Sequence, residues 1–250
     1  MHILQVGRLV AIVALLGLVV SVQAVPVSWE NGGPDRQSGV TVNNSKLGAD
    51  DFILPGILNQ ILGGSFYTLE EAGAWDGGLH LDFYRDNGGT PGDGFPVTEV
   101  PTLSVAAGEI NVTRSSLATG ISLGNFSNLT EYRYDFSIDP AISVELSGGH
   151  FWIAIYPQSD FAGGNPSIFW ETSGERHLFA AAQSSDVNAQ AGFLWSNVYY
   201  PPGSPGGAPR EADLAFRLTY DTLIPVPAPL FLMAAGLVLL RRIRQHAASA

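Results

Sequence analysis

Three runs of strict alternation constrain this chain more than any other feature. Leu79, Leu81 and Phe83 alternate with His80, Asp82 and Tyr84. Tyr132, Tyr134, Phe136 and Ile138 alternate with Arg133, Asp135 and Ser137, and Leu214, Phe216, Leu218 and Tyr220 with Ala215, Arg217 and Thr219. A period of two places each set on its own side of a pleated backbone, so each run reads as a half-buried strand with one wet face. Phe151–Tyr156 is apolar on both faces and reads as a central strand. Shorter strands are expected near Val25–Trp29, Ala49–Ile53, Ser65–Leu69, Val97–Val105, Ser143–Leu146, Ser167–Trp170 and Phe193–Trp195. Glycine-rich turns separate them, and no stretch between residues 25 and 223 sustains a 3.6-residue period. The pattern predicts an all-β domain, an antiparallel β-sandwich of jelly-roll-like form. The breaker cluster Pro201–Pro209 reads as a surface loop before the last strand.

Cysteine is absent, so the domain is held by packing without disulfides, and cysteine nucleophiles and zinc–thiolate sites are excluded. All 23 acidic residues lie between Val25 and Leu223. Eight of the 12 basic ones do: Arg36, Lys46, Arg85, Arg114, Arg133, Arg176, Arg210 and Arg217. Eight positive against 23 negative charges leave a strongly acidic domain, which repels nucleic acid and attracts cations.

The two ends carry a different signal. Leu9–Val20 is an unbroken apolar core behind Arg8, and Ser21-Val-Gln-Ala24 ends in small residues. This is the pattern of a secretory signal peptide over residues 1–24, cut by signal peptidase after Ala24. At the other end, Pro225, Pro227 and Pro229 block helix formation ahead of an uncharged run from Leu230 to Leu240. Arg241, Arg242 and Arg244 follow at once. Pro229–Leu240 spans roughly 18 Å as a helix, short of a full bilayer crossing, and the arginines mark its cytoplasmic end. Residues 25–223 are thus expected to be the ectodomain and residues 224–250 a sorting and anchoring segment.

That tail resembles the PEP-CTERM sorting signal of Gram-negative bacteria, a Pro-Glu-Pro box, a short helix with a central glycine and an arginine cluster. Here the box is Val226-Pro227-Ala228-Pro229, the glycine is Gly236 and the cluster is Arg241, Arg242 and Arg244; Ala228 stands where the family has glutamate. The resemblance implies processing by an exosortase, a membrane-embedded enzyme. It also implies export through the inner membrane, transient anchoring by the C-terminal helix, and a final place at the cell surface or outside the cell. Substrates of that family are often linked to exopolysaccharide and biofilm. Ala49–Phe52, Leu81–Gly92 and Gly149–Ile155 resemble segments of secreted bacterial β-sandwich modules that precede such signals, which bears on fold and not on activity.

Chemistry is harder to find. There is no Gly-x-Ser-x-Gly elbow, no His-Glu-x-x-His, no phosphate loop and no dinucleotide fingerprint. His80, His150 and His177 are scattered and read as strand-face or turn residues. The best local cluster of oxygen ligands is Asp86, Asn87 and Asp93, a calcium candidate because calcium prefers hard oxygens. Asn87-Gly88 reads equally as a hairpin turn. No other cofactor is expected. Asp50-Asp51 offers calcium ligands or, more simply, a solvated edge. Trp75, and Trp195 with Tyr199 and Tyr200, are candidates for stacking on sugar rings, while Trp152 reads as core. The sequons at Asn43, Asn111, Asn125 and Asn128 mark exposed polar chain, with three of them inside Asn111–Thr130. The expected function is that of an exported, non-enzymatic protein of the surface or matrix, acting by adhesion or scaffolding. The alternative is a secreted carbohydrate-active enzyme or carbohydrate-binding module. Two buried carboxyls facing each other across an aromatic cleft would favour the enzyme.

Overall fold

The computed structural model describes residues 26–42, 47–72, 74–75, 77–86, 102–142, 144–157, 167–175, 177, 179–184, 195–198 and 211–222. All of them belong to one compact unit, Pro26–Leu223. Among them the fold is all-β, with no α-helix and a single 3-10 turn at Ala107–Glu109. The strands are β1 (Val27–Glu30), β2 (Pro34–Thr41), β3 (Leu47–Glu70), β4 (Leu79–Arg85), β5 (Leu103–Val105) and β6 (Ile110–Leu123). They continue with β7 (Phe126–Ile138), β8 (Glu145–Pro157), β9 (Ile168–Ser173), β10 (Ala182–Ser184), β11 (Trp195–Asn197) and β12 (Phe216–Thr222).

Every strand pairing is antiparallel, and the strands form one curled sheet ordered β1-β12-β3-β8-β4-β5, with β7–β6, β9–β2 and β10–β11 attached through β3. The organiser is β3, 24 residues long. Its first half pairs with β8 and β10, its second with β12, β7 and β9. Between the halves, Pro55-Gly56 breaks the pleat: the register against β8 shifts between Leu54 and Leu58, and Gly56 sits at φ +72°. Gly148 on β8 approaches so closely that a Cβ there would lie 1.9 Å from the Gly56 carbonyl oxygen. A bulge of this kind bends and twists a strand, and the sheet curls around what it encloses.

The concave side holds the core. Phe52 stacks with Phe151 and meets Phe83 edge-on, while Phe66 contacts Tyr134, Phe136 and Trp170. Both halves of β3 contribute to one hydrophobic cluster. The three alternating runs place their apolar sets inward as expected: Leu79, Leu81 and Phe83, then Tyr134, Phe136 and Ile138, then Leu214, Phe216, Leu218 and Tyr220 are all buried. Phe151–Ile155 lies between β3 and β4 and is buried on both faces.

Three expectations are corrected. Ala49–Ile53 and Ser65–Leu69 are parts of one strand; Pro55 and Gly63-Gly64 bend it without ending it. The second face of β4 is not wet, because Asp82 and Tyr84 are buried. Asp50 and Asp51 are not a solvated edge: both are wholly buried, Asp50 on the inner face and Asp51 on the outer. The polar stretch Asn111–Thr130 is mostly exposed, and it forms the β6–β7 hairpin about Gly124-Asn125.

Candidate functional site

Asn87, Asp93, Tyr199 and Tyr200, the signal peptide, and the sorting residues Val226, Pro227, Ala228, Pro229, Gly236, Arg241, Arg242 and Arg244 lie outside the described residues. The remaining candidates are Asp86, Trp75 and Trp195, and the fold separates them. Trp75 packs against the main core, edge-on to Tyr134 at 5.2 Å, with the Arg114 guanidinium 5.3 Å from its ring and its indole N–H donated to the Gly78 carbonyl. Trp195 belongs to a second cluster on the opposite face of the sheet, with Tyr84, Trp152 and Phe179. The two tryptophans do not form one sugar platform.

That second cluster is where polar chemistry concentrates. Antiparallel pairing of β4 with β8 sets His80 opposite Tyr156, Asp82 opposite Ala154, and Tyr84 opposite Trp152. Pairing of β3 with β8 sets Asp51 opposite Trp152 and Ile53 opposite His150. Side chains two apart share a face, so His80, Asp82, Tyr84 and Asp86 stand beside His150, Trp152 and Tyr156, with Asp51 at the far side. β10 lies along the start of β3 and brings Phe179 and Trp195 over this face.

His150 is the pivot. Its Nε2 meets the Asp51 carboxylate, and its Nδ1 lies 3.3 Å from Asp86 Oδ2. The ring is flanked by Phe179 at 5.1 Å and Trp152 at 6.2 Å. Burial alone would lower the His150 pKa, but the hydrogen bond and charge of Asp51, and then of Asp86, raise it above the ordinary value. Asp51 is itself raised by burial, against the opposing pull of His150. With both nitrogens turned to carboxylates, His150 is a strut between two strands, and neither ring nitrogen faces an open position where a metal or substrate could meet it. Asp86 has its other oxygen 3.4 Å from the Trp152 indole nitrogen. One strand turn away, Asp82 accepts from the Tyr156 hydroxyl at 2.8 Å and from Tyr84. Burial and this carboxylate push both tyrosines well above their usual pKa. His80 stacks on Tyr156 at 5.3 Å and is only half-buried, so the open end of this face is a His80–Tyr156 ledge.

Two other acid clusters lie elsewhere. Glu70, at the end of the core, accepts from Thr68 and Tyr134 at 2.5 Å each and from Arg114, whose guanidinium lies 3.3 Å from the Tyr132 ring centre. On the convex face of β7 and β9, Glu131 and Glu171 are both wholly buried. Away from all of these, an open groove of about 390 Å³ runs over Gly63, Gly64 and Ser65 between Arg133, Asp135 and Arg217. Arg133 is tied to Asp135 and Arg217 to Ser28 and Glu30, so the groove carries no free charge of either sign. Among the described residues no three His, Asp or Glu side chains converge on a common metal position.

From the sequence, Asp51 is offered only as a calcium ligand or solvated edge and His150 only as a strand-face or turn residue, and neither is brought together with Asp82. The signal for them was present: His80-x-Asp82-x-Tyr84-x-Asp86 and His150-x-Trp152-x-x-x-Tyr156 carry polar and aromatic residues at one parity, as two strands sharing a covered polar face would. No family model, no curated protein and no solved structure matches this chain.

Proposed function

We propose that this protein is exported and held at the cell surface or in the matrix, where it binds rather than turns over its ligand. The end signals carry the address: a signal peptide over residues 1–24 and the tripartite tail over 224–250, which we read as an exosortase substrate anchored briefly by its short helix. The curled antiparallel sheet is read as a sandwich of the jelly-roll type, with β3 as the strand shared by both layers; the main core cluster, to which both halves of β3 contribute, supports this.

The observation that carries the binding reading is the use made of the buried acids. Asp51 and Asp86 clamp His150, Asp82 anchors two tyrosines and Glu70 anchors Arg114. They act as cross-strand ties, while the described open groove has only Asp135, already paired to Arg133. A glycosidase needs two carboxyls about 5–10 Å apart in a cleft that admits the sugar. The ligand class best matched is carbohydrate, including exopolysaccharide, at the half-buried His80–Tyr156 ledge, since sugars stack on rings.

A glycan array with the purified secreted protein, run with and without calcium, tests this reading. Retention of polysaccharide without cleavage, lost in Tyr156→Ala, supports it; release of shortened glycans overturns it in favour of an enzyme. Intact mass of the mature protein tests the address. A chain starting at Val25 and lacking Arg241–Ala250 is expected, and one retaining both ends rules it out.

A further inference from the structure

Where the sheet ends its backbone is left open, and one edge differs from the rest. Among the described residues β1, β2, β5, β6 and β11 each pair with a single neighbour. β1, β5 and β11 are only 4, 3 and 3 residues long. β2 begins at Pro34 and slips register against β9 between Pro34 and Gly39. Short strands, proline and bulges are the means by which proteins keep an edge from pairing with another chain. β6 is 14 residues long, has no proline and holds unbroken register against β7 from Ile110 to Ser116. Asn111, Thr113, Ser115, Ser116 and Leu117 are exposed, Leu117 by 48%.

The phase of the ladder identifies the open groups. Asp139 donates its amide to the Glu109 carbonyl at 2.9 Å. Antiparallel pairs alternate between hydrogen-bonded and unbonded, so Asn111, Thr113 and Ser115 exchange bonds with Ser137, Asp135 and Arg133. Ile110 agrees, because its N–H turns instead to the Ala107 carbonyl. The N–H and C=O groups of Val112, Arg114 and Ser116, with the Ile110 carbonyl, therefore point away from β7 along the outer edge. A strand of another chain supplies partners at that spacing.

Charge argues which chain supplies it. The protein carries 23 acidic residues, yet none lies between Ile110 and Thr130. Arg114 is the one charge from Ile110 to Ser116, and Glu70 holds its guanidinium inward. Two copies of this acidic chain meet here without the repulsion their other surfaces set up. A two-fold axis then makes the edge its own complement.

We propose that this protein pairs with a second copy of itself through β6, antiparallel about Thr113. Val112 lies opposite Arg114 of the second copy, Asn111 opposite its Ser115, and Thr113 opposite its own equivalent. Roughly six main-chain hydrogen bonds form across the join. Centring on Arg114 would set two guanidinium stems directly opposite, which like charges disfavour. This goes beyond the reading of the protein as a carbohydrate binder, which concerns the face of β4 and β8, and it stands or falls without it.

Sedimentation velocity of the purified secreted protein, from low to high micromolar loading, tests the proposal. A monomer–dimer equilibrium is expected, with a dissociation constant on the order of 10 μM, as suits a small interface. Ser116→Pro removes an outward N–H and leaves the β7 ladder intact; it weakens pairing by at least about tenfold. The thermal midpoint of the dilute variant stays within about 3 °C of the parent. Thr113→Cys, in a chain with no other cysteine, forms an interchain disulfide with oxidised glutathione. An unbonded antiparallel pair brings the two Cα atoms to about 4.5 Å, within disulfide range. Ser137→Cys, on β7, stays uncrosslinked. A profile that is monomeric throughout, or a Thr113→Cys chain that does not crosslink, overturns the proposal and leaves the edge to a strand of another protein. A dimer that Ser116→Pro leaves intact also overturns it. If Ser116→Pro fails to fold, the Thr113→Cys crosslink decides alone.

Discussion

The covered face of β4 and β8 and the convex face of β7 and β9 solve the same problem in opposite ways. Both bury carboxylates outside the main core. On the first, Asp51 and Asp86 share one imidazole ring, and Asp82 has two phenols. On the second, Glu131 has one exposed arginine, and Glu171 has the charge and a backbone hydrogen bond of that same Arg36. A buried charge is tolerated in proportion to its partners. The first face is therefore expected to act as a structural tie, and the second as a place where a proton is held.

The comparison breaks most visibly if the tie is cut. His150→Ala leaves Asp51 charged, buried and without its counter-ion, and should cost about 3–5 kcal/mol, the range for a broken buried pair. That matches the roughly 3–5 kcal/mol expected of Phe151→Ala in the core. Urea unfolding of both variants checks this; a loss below 1 kcal/mol for His150→Ala would mean that the strut carries little.

The next effect is on pH dependence. Burial, then the fields of Glu131 and Asp35, push Glu171 up to about 8 against its ordinary 4.5. Between those values the folded chain holds more protons than the unfolded one, so stability falls as pH rises through this window. His150, raised above its ordinary 6.5, acts in the same direction: its contribution is full below 6.5 and is lost as pH rises through the folded value. Asp50, raised by burial and by Asp213 and Asp51, adds to the trend. Stability measured from pH 5 to 9 should therefore decline toward the alkaline side, by a few kcal/mol in total. Glu171→Gln should flatten the curve and match or exceed the parent at pH 8. A parent curve rising from pH 5 to 8 would contradict the assignment.

Smaller effects sharpen the contrast with ordinary surface and sheet positions. Gly64→Ala drives a methyl to within 2.1 Å of the Arg217 carbonyl and should cost about 1–3 kcal/mol as overpacking. Arg133→Ala removes an exposed pair with Asp135 and should change stability by less than about 0.5 kcal/mol. If that change equalled the loss in His150→Ala, burial would not be what separates the ties from the surface.

The sequence by itself determined the strand class and the inward set. Alternation at Leu79–Phe83, Tyr132–Ile138 and Leu214–Tyr220 is a local property of the pleat, and it survived folding because the core needs one apolar face from each strand. The doubly apolar Phe151–Ile155 was legible for the same reason. What tertiary structure decided was the fate of the other faces. Nothing local distinguishes Asp82 facing water from Asp82 buried against the hydroxyls of Tyr84 and Tyr156, or Asp50-Asp51 at a solvated edge from the same pair sealed by Asn31, Leu214 and His150. Nor could spacing show that Glu131 and Glu171, forty residues apart, would both be buried on strands that flank β3. An acid reads as surface in one dimension because its burial depends on partners from distant strands, and only the register of the sheet brings those partners to it.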